Sequence, residues 1–458
     1  MKNQQRGLRN MTEGSPTGHI FAFALPLFLG SLLQQLYNMV DSWVVGRYVG
    51  DAALAAVGIG FPVIFMFTAL FTGMANGGTV VIAQFYGAGK MDRVRDAVDT
   101  VYTTFVASVV PLTVLALVLV KPLLWLLRVD PAAYDDAWLY LIIVCAGLVG
   151  TIGYNTNAGI MGGLGNSRTT LLFLAVAAVM NIVLDLLLVL RFDMGVAGVA
   201  IATVFSQAVS WLFGMVYINR RYPEIAIHPF CFRFDRALFR DVMKIGLPTG
   251  LQMSLVSIGV MTVMSKVNVY GKAFMAGYNV GNKLDQLAFL PVQALSNAVT
   301  AFVGQNIGAQ KPERVRRGVR SSLVMTVAWS CVMIAILVPL RQELVGFFSP
   351  EPEVIQGGAL YLAEVLPFFP FFGVMFCLNA AMRGAGEAVF PMADTVLSLI
   401  LIRVPVCYWL ADTFGRDAIY LGVGAGWLIG FLGAVVYYLS GRWRRHGSLA
   451  APREEPAG

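Results

Sequence analysis

Charged residues are scarce in this 458-residue chain, and histidine and cysteine are scarcer still. Only 13% of the residues are charged and 57% are hydrophobic, which excludes an ordinary soluble globular protein. The three histidines show neither metal-binding nor HExxH spacing, so we expect no metal centre and no catalytic residues. The five cysteines, including Cys231 in a basic loop, stand singly and predict no disulfide framework.

The sequence also lacks a nucleotide-binding motif. The run from Gly87 to Lys90 resembles a fragment of a phosphate loop but has neither the full spacing nor the Ser or Thr after the lysine. We therefore expect no ATP site and no cofactor.

The positive net charge of +7 is explained by membrane topology. Basic residues lie between apolar runs, where they set orientation, and we expect no nucleic-acid partner. Counted by loop, 23 Lys and Arg residues fall on the side that holds both termini and eight on the other side. The sequence predicts cytoplasmic termini and a multi-pass protein of the cell (inner) membrane.

Long apolar runs make up most of the chain. A run of about 20 residues can cross a bilayer as a helix. The sequence predicts an all-α integral membrane protein of twelve such helices, at 19–46, 53–82, 97–120, 136–160, 169–190, 196–218, 241–268, 275–303, 321–340, 358–381, 389–411 and 419–440.

An internal repeat divides these helices into six and six. The run from Gln84 to Arg95 matches the run from Gln305 to Arg316 at an offset of 221, and Leu25-Pro26 matches Leu247-Pro248 at an offset one residue larger. Two pseudo-symmetric lobes follow, related by parallel repeats with the cargo between them. The predicted parts are a tail at 1–18, an N-lobe at 19–218, a linker at 219–240, a C-lobe at 241–440 and a tail at 441–458.

Two acids lie inside apolar helices of the N-lobe. A charged side chain at membrane depth costs about 2.5 kcal/mol or more, so such residues usually mark an ion or substrate pathway. Asp41 shares a helix face with Gln34 and Asn38, and Asp185 shares one with Asn181. These faces predict a proton or sodium site, although Asp41 near a helix end or Asn181 with Asp185 as interhelical glue would be structural alternatives.

The C-lobe carries a polar stripe on its second helix. Asn282 and Gln286 belong to this stripe, which suits either the wall of an aqueous cavity or packing between lobes. Lys283 and Asp285 are expected to neutralise one another. Arg403 lies in the eleventh run with no assigned role, and it could stand near a helix end or pair with an acid.

The sequence resembles the multidrug and toxic compound extrusion (MATE) family over essentially its whole length. The resemblance is carried by Leu25-Pro26, by the run from Gln34 to Asp41, by Val45 to Arg47 and Ala52 to Gly58, by the repeated Gly87-Ala88 and Gly308-Ala309, and by Asn181 with Asp185. It implies alternating access and export of lipophilic, often cationic compounds, driven by inward H+ or Na+. Because the run from Gly250 to Ser257 has no acid, the chain looks more like the DinF-type branch.

The resemblance also implies roles for individual residues. It places the cation site, for H+ or Na+, at Asp41, Asn181, Asp185 and Thr203, with Asn157 nearby, and a hinge at Pro26, where a static kink is the structural alternative. We expect the substrate cavity at Gln34, Tyr37, Asn38, Asn282 and Gln286, on and beside the polar faces described above. We expect a monomer that contacts membrane lipids and a small-molecule cargo. A flippase for a lipid-linked precursor is the main alternative, a membrane enzyme is disfavoured, and a passive channel stays open.

Overall fold

The computed structural model describes residues 7–127, 129–228, 233–446 and 449. Cys231, part of the predicted linker and parts of both predicted tails lie outside these residues. Within them the chain forms helices and no strand, so the predicted all-α fold class is confirmed.

The described residues form sixteen α-helices. They are α1 (Pro16–Val44), α2 (Asp51–Gly87), α3 (Met91–Leu126), α4 (Pro131–Ala146), α5 (Leu148–Gly163), α6 (Ser167–Asp185), α7 (Gly195–Arg221), α8 (Arg236–Val269), α9 (Lys272–Gly308), α10 (Pro312–Leu337), α11 (Arg341–Gly346), α12 (Pro352–Val365), α13 (Phe369–Gly384), α14 (Val389–Val396), α15 (Arg403–Phe414) and α16 (Ile419–Ser440). Three π-helical stretches also occur, at Val45–Val49, Leu186–Arg191 and Leu397–Ile402.

The number of membrane-spanning helices agrees with the sequence. Eleven spans in the described residues are long and apolar enough to cross a membrane, with α12–α13 and α14–α15 each forming one of them. The pair α4–α5, which is bent by 49°, makes twelve when it is counted as one broken span. The bend lies at Gly147, where a Cβ would collide with the side chain of Val204 on α7.

The N-terminal unit comprises Met1–Asn10 and Pro26–Gly250. It therefore includes the first part of α8, which packs closely on α2. A Cβ added at Gly73 of α2 would lie 2.5 Å from the carbonyl oxygen of Gly246 on α8. Small residues at such crossings let membrane helices approach and gain van der Waals contact.

The C-terminal unit comprises Met11–Leu25 and Leu251–Gly458. Its interior contains stacked aromatic rings, such as Phe372 and Trp427 with centroids 4.4 Å apart. The segment before α1 docks on this unit, where Arg314 donates hydrogen bonds to three of its backbone carbonyls. The borders between the two units thus fall inside α1, next to Pro26, and inside α8, next to Gly250.

Candidate cation site and cargo residues

Asp41 and Asp185 approach one another in the N-terminal unit. Asp41 lies in the last turn of α1, and Asp185 is the last residue of α6. The two carboxyl groups interact electrostatically with each other. Asp185 is fully buried and Asp41 is half-buried. The structure therefore brings together two acids that are separated by 144 residues in the sequence.

Apolar residues pack on both sides of this carboxyl pair. Tyr37 packs with Leu174 and Ala178 one turn before Asp41, and this cluster joins α1 to α6. A second cluster includes Val45, just after Asp41, and Val189, just after Asp185. Because apolar packing keeps bulk water away, charges on the two acids interact more strongly than they would at a surface.

Two tyrosines accompany the acids. Tyr37 lies close to Asp41 and to Gln34 on the same helix. Tyr140, from α4, lies close to both acids. Sequence reasoning missed Tyr140, since a tyrosine in an apolar run is ordinary. The available signal was the repeat, which places another tyrosine, Tyr361, 221 residues later.

Several polar atoms near the ends of α1 and α6 are buried without a hydrogen-bond partner. They are Oδ1 of Asp41, both carboxyl oxygens of Asp185 and both side-chain amide atoms of Asn181. Asn181 is 2% exposed and lies one helical turn before Asp185. Carboxyl and amide oxygens coordinate small hard cations, and a carboxylate also binds a proton. In the described part of the chain, no group of three or more His, Cys, Asp or Glu side chains could hold a metal ion.

Thr203 and Asn157 stand in different surroundings. Thr203 is half-buried on α7, where its carbonyl accepts a hydrogen bond from the Ser206 hydroxyl. Asn157 is fully buried on α5, but its amide accepts a hydrogen bond from Tyr102 and donates one to the Trp211 carbonyl. Asn157 therefore belongs to a hydrogen-bonded network of α3, α5 and α7, and the described contacts do not link its amide to either acid.

The backbone changes from α-helical to π-helical hydrogen bonding directly after α1 and directly after α6. A π-helical stretch begins at Val45, four residues after Asp41, and another begins at Leu186, directly after Asp185. Such stretches are rare and occur frequently at functional sites. The pattern marks the C-terminal ends of α1 and α6 as unusual, independently of the acids themselves.

The residues assigned to the cargo lie in both units. Gln34 is exposed and Asn38 half-exposed on α1, whereas Tyr37 is buried. In the C-terminal unit, Gln286 is exposed and its side-chain amide donates to the Asn282 carbonyl oxygen at 2.7 Å. Pro26 is buried in α1, which stays helical through it.

The expected neutralisation of Asp285 by Lys283 is wrong. Asp285 is buried near Arg403 and Tyr361, while Lys283 is exposed. The reason is helical geometry, because residues two apart point to different sides of a helix. Arg403 thus has an acid as its neighbour, which is one of the two alternatives that the sequence left open.

Comparison with known proteins gives a family match in both repeats. The family model MatE matches residues 26–187 and again residues 248–409, which together cover more than half of the chain. The two matches begin 222 residues apart, in agreement with the offset between the two Leu-Pro pairs.

Curated relatives match nearly end to end. The chain is 28% identical over 435 residues to the probable multidrug resistance protein YpnP of Bacillus subtilis, covering 95% of this chain and 97% of that protein. It is 25% identical to the probable multidrug resistance protein NorM of Thermotoga maritima, covering 96% of each. A crystal structure of a MATE protein in the bent conformation shares the fold, with a TM-score of 0.88, 23% identity and coverage of 96% and 97%.

Proposed function

This chain belongs to the MatE family of transporters, and we propose that it is a cation-coupled antiporter that exports lipophilic, often cationic compounds by alternating access. The observation that carries the proposal is the approach of Asp41 to Asp185 in an apolar setting. Two carboxylates cannot both stay charged at close range without a compensating cation. Binding of H+ or Na+ between them offsets the repulsion and the cost of burial.

The remaining residues of the proposed cation site supply oxygen atoms. Asn181 offers its amide carbonyl from the same face of α6 as Asp185, and its side chain has no other partner. Thr203 offers a hydroxyl from the neighbouring α7. Asn157 is proposed to act indirectly, since its amide already bonds Tyr102 and Trp211.

Coupling requires that the cation and the cargo favour different states of the transporter. A ligand shifts such an equilibrium only by its difference in affinity for the two states, and the effect is reciprocal. We propose that α1 transmits the change, because it carries Asp41, Gln34, Tyr37 and Asn38. Pro26 is the proposed hinge, since a proline removes one helical hydrogen bond and permits a bend.

The multidrug names of YpnP and NorM support a small, lipophilic organic cargo. The proposed contacts to it are Gln34, Tyr37 and Asn38 in one unit and Asn282 and Gln286 in the other. The comparisons give no support to a lipid-linked flippase. We propose that the protein belongs to the DinF-like branch and is a monomer. We also propose that it lies in the cell (inner) membrane with cytoplasmic termini, in contact with lipids, and that it has no nucleic-acid partner and no cofactor.

The test is ethidium efflux from cells that lack their own exporters, measured at several pH values with and without Na+. Asp41→Asn and Asp185→Asn should each abolish gradient-driven efflux, and the gradient that drives the native protein identifies the ion. Asp135→Asn is the matched control, because it removes an exposed acid from α4. Gradient-driven efflux that persists in both buried-acid variants would contradict the proposed site.

A further inference from the structure

A chain of three hydrogen bonds connects an exposed amide to a buried acid in the C-terminal unit. Gln286 Nε2 donates to Asn282 Oδ1 at 2.7 Å, and Asn282 Nδ2 donates to the Tyr361 hydroxyl oxygen at 3.3 Å. The Tyr361 hydroxyl in turn donates to Asp285 Oδ2 at 3.4 Å. Asp285 is 7% exposed and Tyr361 is fully buried, so only the Gln286 end is accessible.

The buried end determines the direction of this chain. Arg403, which is 6% exposed, lies within electrostatic reach of Asp285. The Tyr361 hydroxyl donates its one proton to Asp285 Oδ2, so the hydroxyl oxygen is left to accept. The hydroxyl oxygen then accepts from the amide of Asn282, and the Asn282 carbonyl accepts from Gln286. The group that remains outward is the carbonyl oxygen of Gln286.

Two glycines make room for the residues of this hydrogen-bonded chain and for Arg403. A Cβ at Gly281 of α9 would lie 2.7 Å from the Tyr361 ring, and a Cβ at Gly426 of α16 would lie 2.7 Å from Cβ of Arg403. The absence of these Cβ atoms lets Tyr361 pack against α9 and Arg403 pack against α16. The side chains at the buried end of the hydrogen-bonded chain are therefore closely packed and have little freedom to change orientation.

The exposed end lies near the middle of a membrane span. Gln286 is close to the centre of α9, which runs from Lys272 to Gly308. An amide facing lipid at this depth would lose its hydrogen bonds to water at a cost. Its carbonyl oxygen is therefore better placed toward an aqueous path, where a cargo molecule travels.

We propose that the Gln286 carbonyl oxygen accepts a hydrogen bond from the cargo, and that Tyr361, Asp285 and Arg403 are positioning residues that keep this oxygen outward. The site takes a cargo group with an N–H or O–H donor and disfavours a cation of equal charge that has none. The inference rests on the proposed function, because it requires Gln286 to contact cargo. Donor and non-donor molecules differ sharply in affinity at a site of this kind. An acceptor that loses its hydrogen bond to water and gains none from the cargo weakens binding.

The test compares binding of two monovalent organic cations to the purified full-length protein. Ethidium carries aromatic amino groups that donate hydrogen bonds, and tetraphenylphosphonium carries no donor. Tyr361→Phe should weaken ethidium binding about fivefold while the dissociation constant of tetraphenylphosphonium changes by less than about twofold. Gln286→Met should have the same selective effect, and Gln286→Glu, which keeps an acceptor, should retain the preference for ethidium.

The matched control is Tyr420→Phe. Its ring packs edge-on against Tyr361 with centroids 5.5 Å apart, but its hydroxyl is not part of the hydrogen-bonded chain. It should leave the ratio of the two dissociation constants at the native value. General misfolding would weaken both cations together and leave their ratio unchanged.

Three results would overturn the inference. One is an unchanged ratio in Tyr361→Phe and Gln286→Met, another is an equal shift in Tyr420→Phe, and the third is native protein that binds neither cation. The first result, with coupled efflux lost in Asp41→Asn and Asp185→Asn, removes the inference and keeps the proposed function. A selective loss of ethidium binding together with coupled efflux in both acid variants would remove the proposed coupling instead.

Discussion

Tyr140 lies against Gly60 of α2, and only a glycine leaves room for its ring there. A Cβ added at residue 60 would lie 2.7 Å from Cδ1 of Tyr140. The same tyrosine faces Asp41 and Asp185. A backbone position on α2 thus determines where a tyrosine of α4 stands beside the candidate cation site.

Gly60→Ala should displace the Tyr140 ring and lower both stability and coupled transport. Overpacking of this kind costs about 1–3 kcal/mol. The measurements are the thermal midpoint in detergent and ethidium efflux in cells. Gly58→Ala, two residues earlier on α2, is the matched control, because a Cβ there meets nothing within 4 Å. Native behaviour of Gly60→Ala would show that the ring does not depend on this glycine.

Asp185→Asn should leave the thermal midpoint unchanged or raise it by a few degrees, although we expect it to abolish transport. The amide cannot carry a charge, so it removes the repulsion with Asp41 and the cost of burying a carboxylate. Functional sites often trade stability for activity in this way. Thermal unfolding of both acid variants, beside Asp135→Asn, measures the effect. A midpoint lowered by many degrees would instead make Asp185 a structural residue.

Arg314→Ala should release the segment before α1 from the C-terminal unit. The Arg314 guanidinium donates to the carbonyls of Met11, Glu13 and Gly14 at 2.8–3.0 Å, and losing these bonds should cost about 1–3 kcal/mol. The measurement is the rate at which glutamyl endopeptidase cleaves after Glu13, which should rise.

Arg316→Ala provides the control for the released segment. Arg316 makes an exposed ion pair with Glu313 on its own helix, and such pairs contribute little. Its cleavage rate should stay near that of the native protein. Equal rates in Arg314→Ala and Arg316→Ala would mean that other contacts hold the segment.

The start of α8 should weaken in acid through Asp235. Partial burial would raise the pKa of this carboxyl, but the backbone N–H groups of Leu238 and Ala237 and the Arg93 guanidinium lower it below its ordinary 3.8. A lowered folded-state pKa gives stability above the unfolded pKa, and this stability is lost as pH falls through the folded value.

The thermal midpoint difference between native protein and Asp235→Asn should therefore shrink from about pH 6 to about pH 3. Asp96→Asn is the control, because Asp96 pairs with the same Arg93 nitrogen but only through an exposed i,i+3 contact on α3. Its effect should be small at every pH. A difference for Asp235→Asn that stays constant with pH would exclude the carboxylate as the cause.

The fold was predictable because membrane-spanning helices can be recognised in a sequence by their length and hydrophobicity. Eleven of the predicted apolar runs coincide with candidate spans in the described residues, and the remaining run, 136–160, contains the bend at Gly147 between α4 and α5. Asp41 and Asp185 were predictable for a related reason, since an acid in such a run is anomalous. Their approach to one another depends on how α1 packs on α6, which no local pattern records.

The residues that escaped prediction depend on contacts between helices. Tyr140 looks ordinary in its own sequence, and its position follows from a glycine on another helix. Asp285 was paired with its sequence neighbour Lys283, whereas its actual neighbour Arg403 is 118 residues away. Asn157 was assigned to the cation site from the family resemblance, but its side-chain amide already makes hydrogen bonds with Tyr102 and with the Trp211 carbonyl. Composition and periodicity do not contain such pairings.

The π-helical stretch at Val45–Val49 explains why the two repeats drift by one residue. Pro26 and Pro248 are 222 residues apart, whereas Gly50 and Gly271, both with positive φ at the end of the first helix of their repeat, are 221 apart. The first repeat therefore holds one additional residue between its proline and its glycine. A π-helical turn, bonded from i to i+5, accommodates one residue more than an α-helical turn, and no such stretch is described between Pro248 and Gly271. The helix that carries Asp41 thus holds one residue more than its counterpart in the second repeat, and the π-helical stretch takes up that residue four positions after the acid.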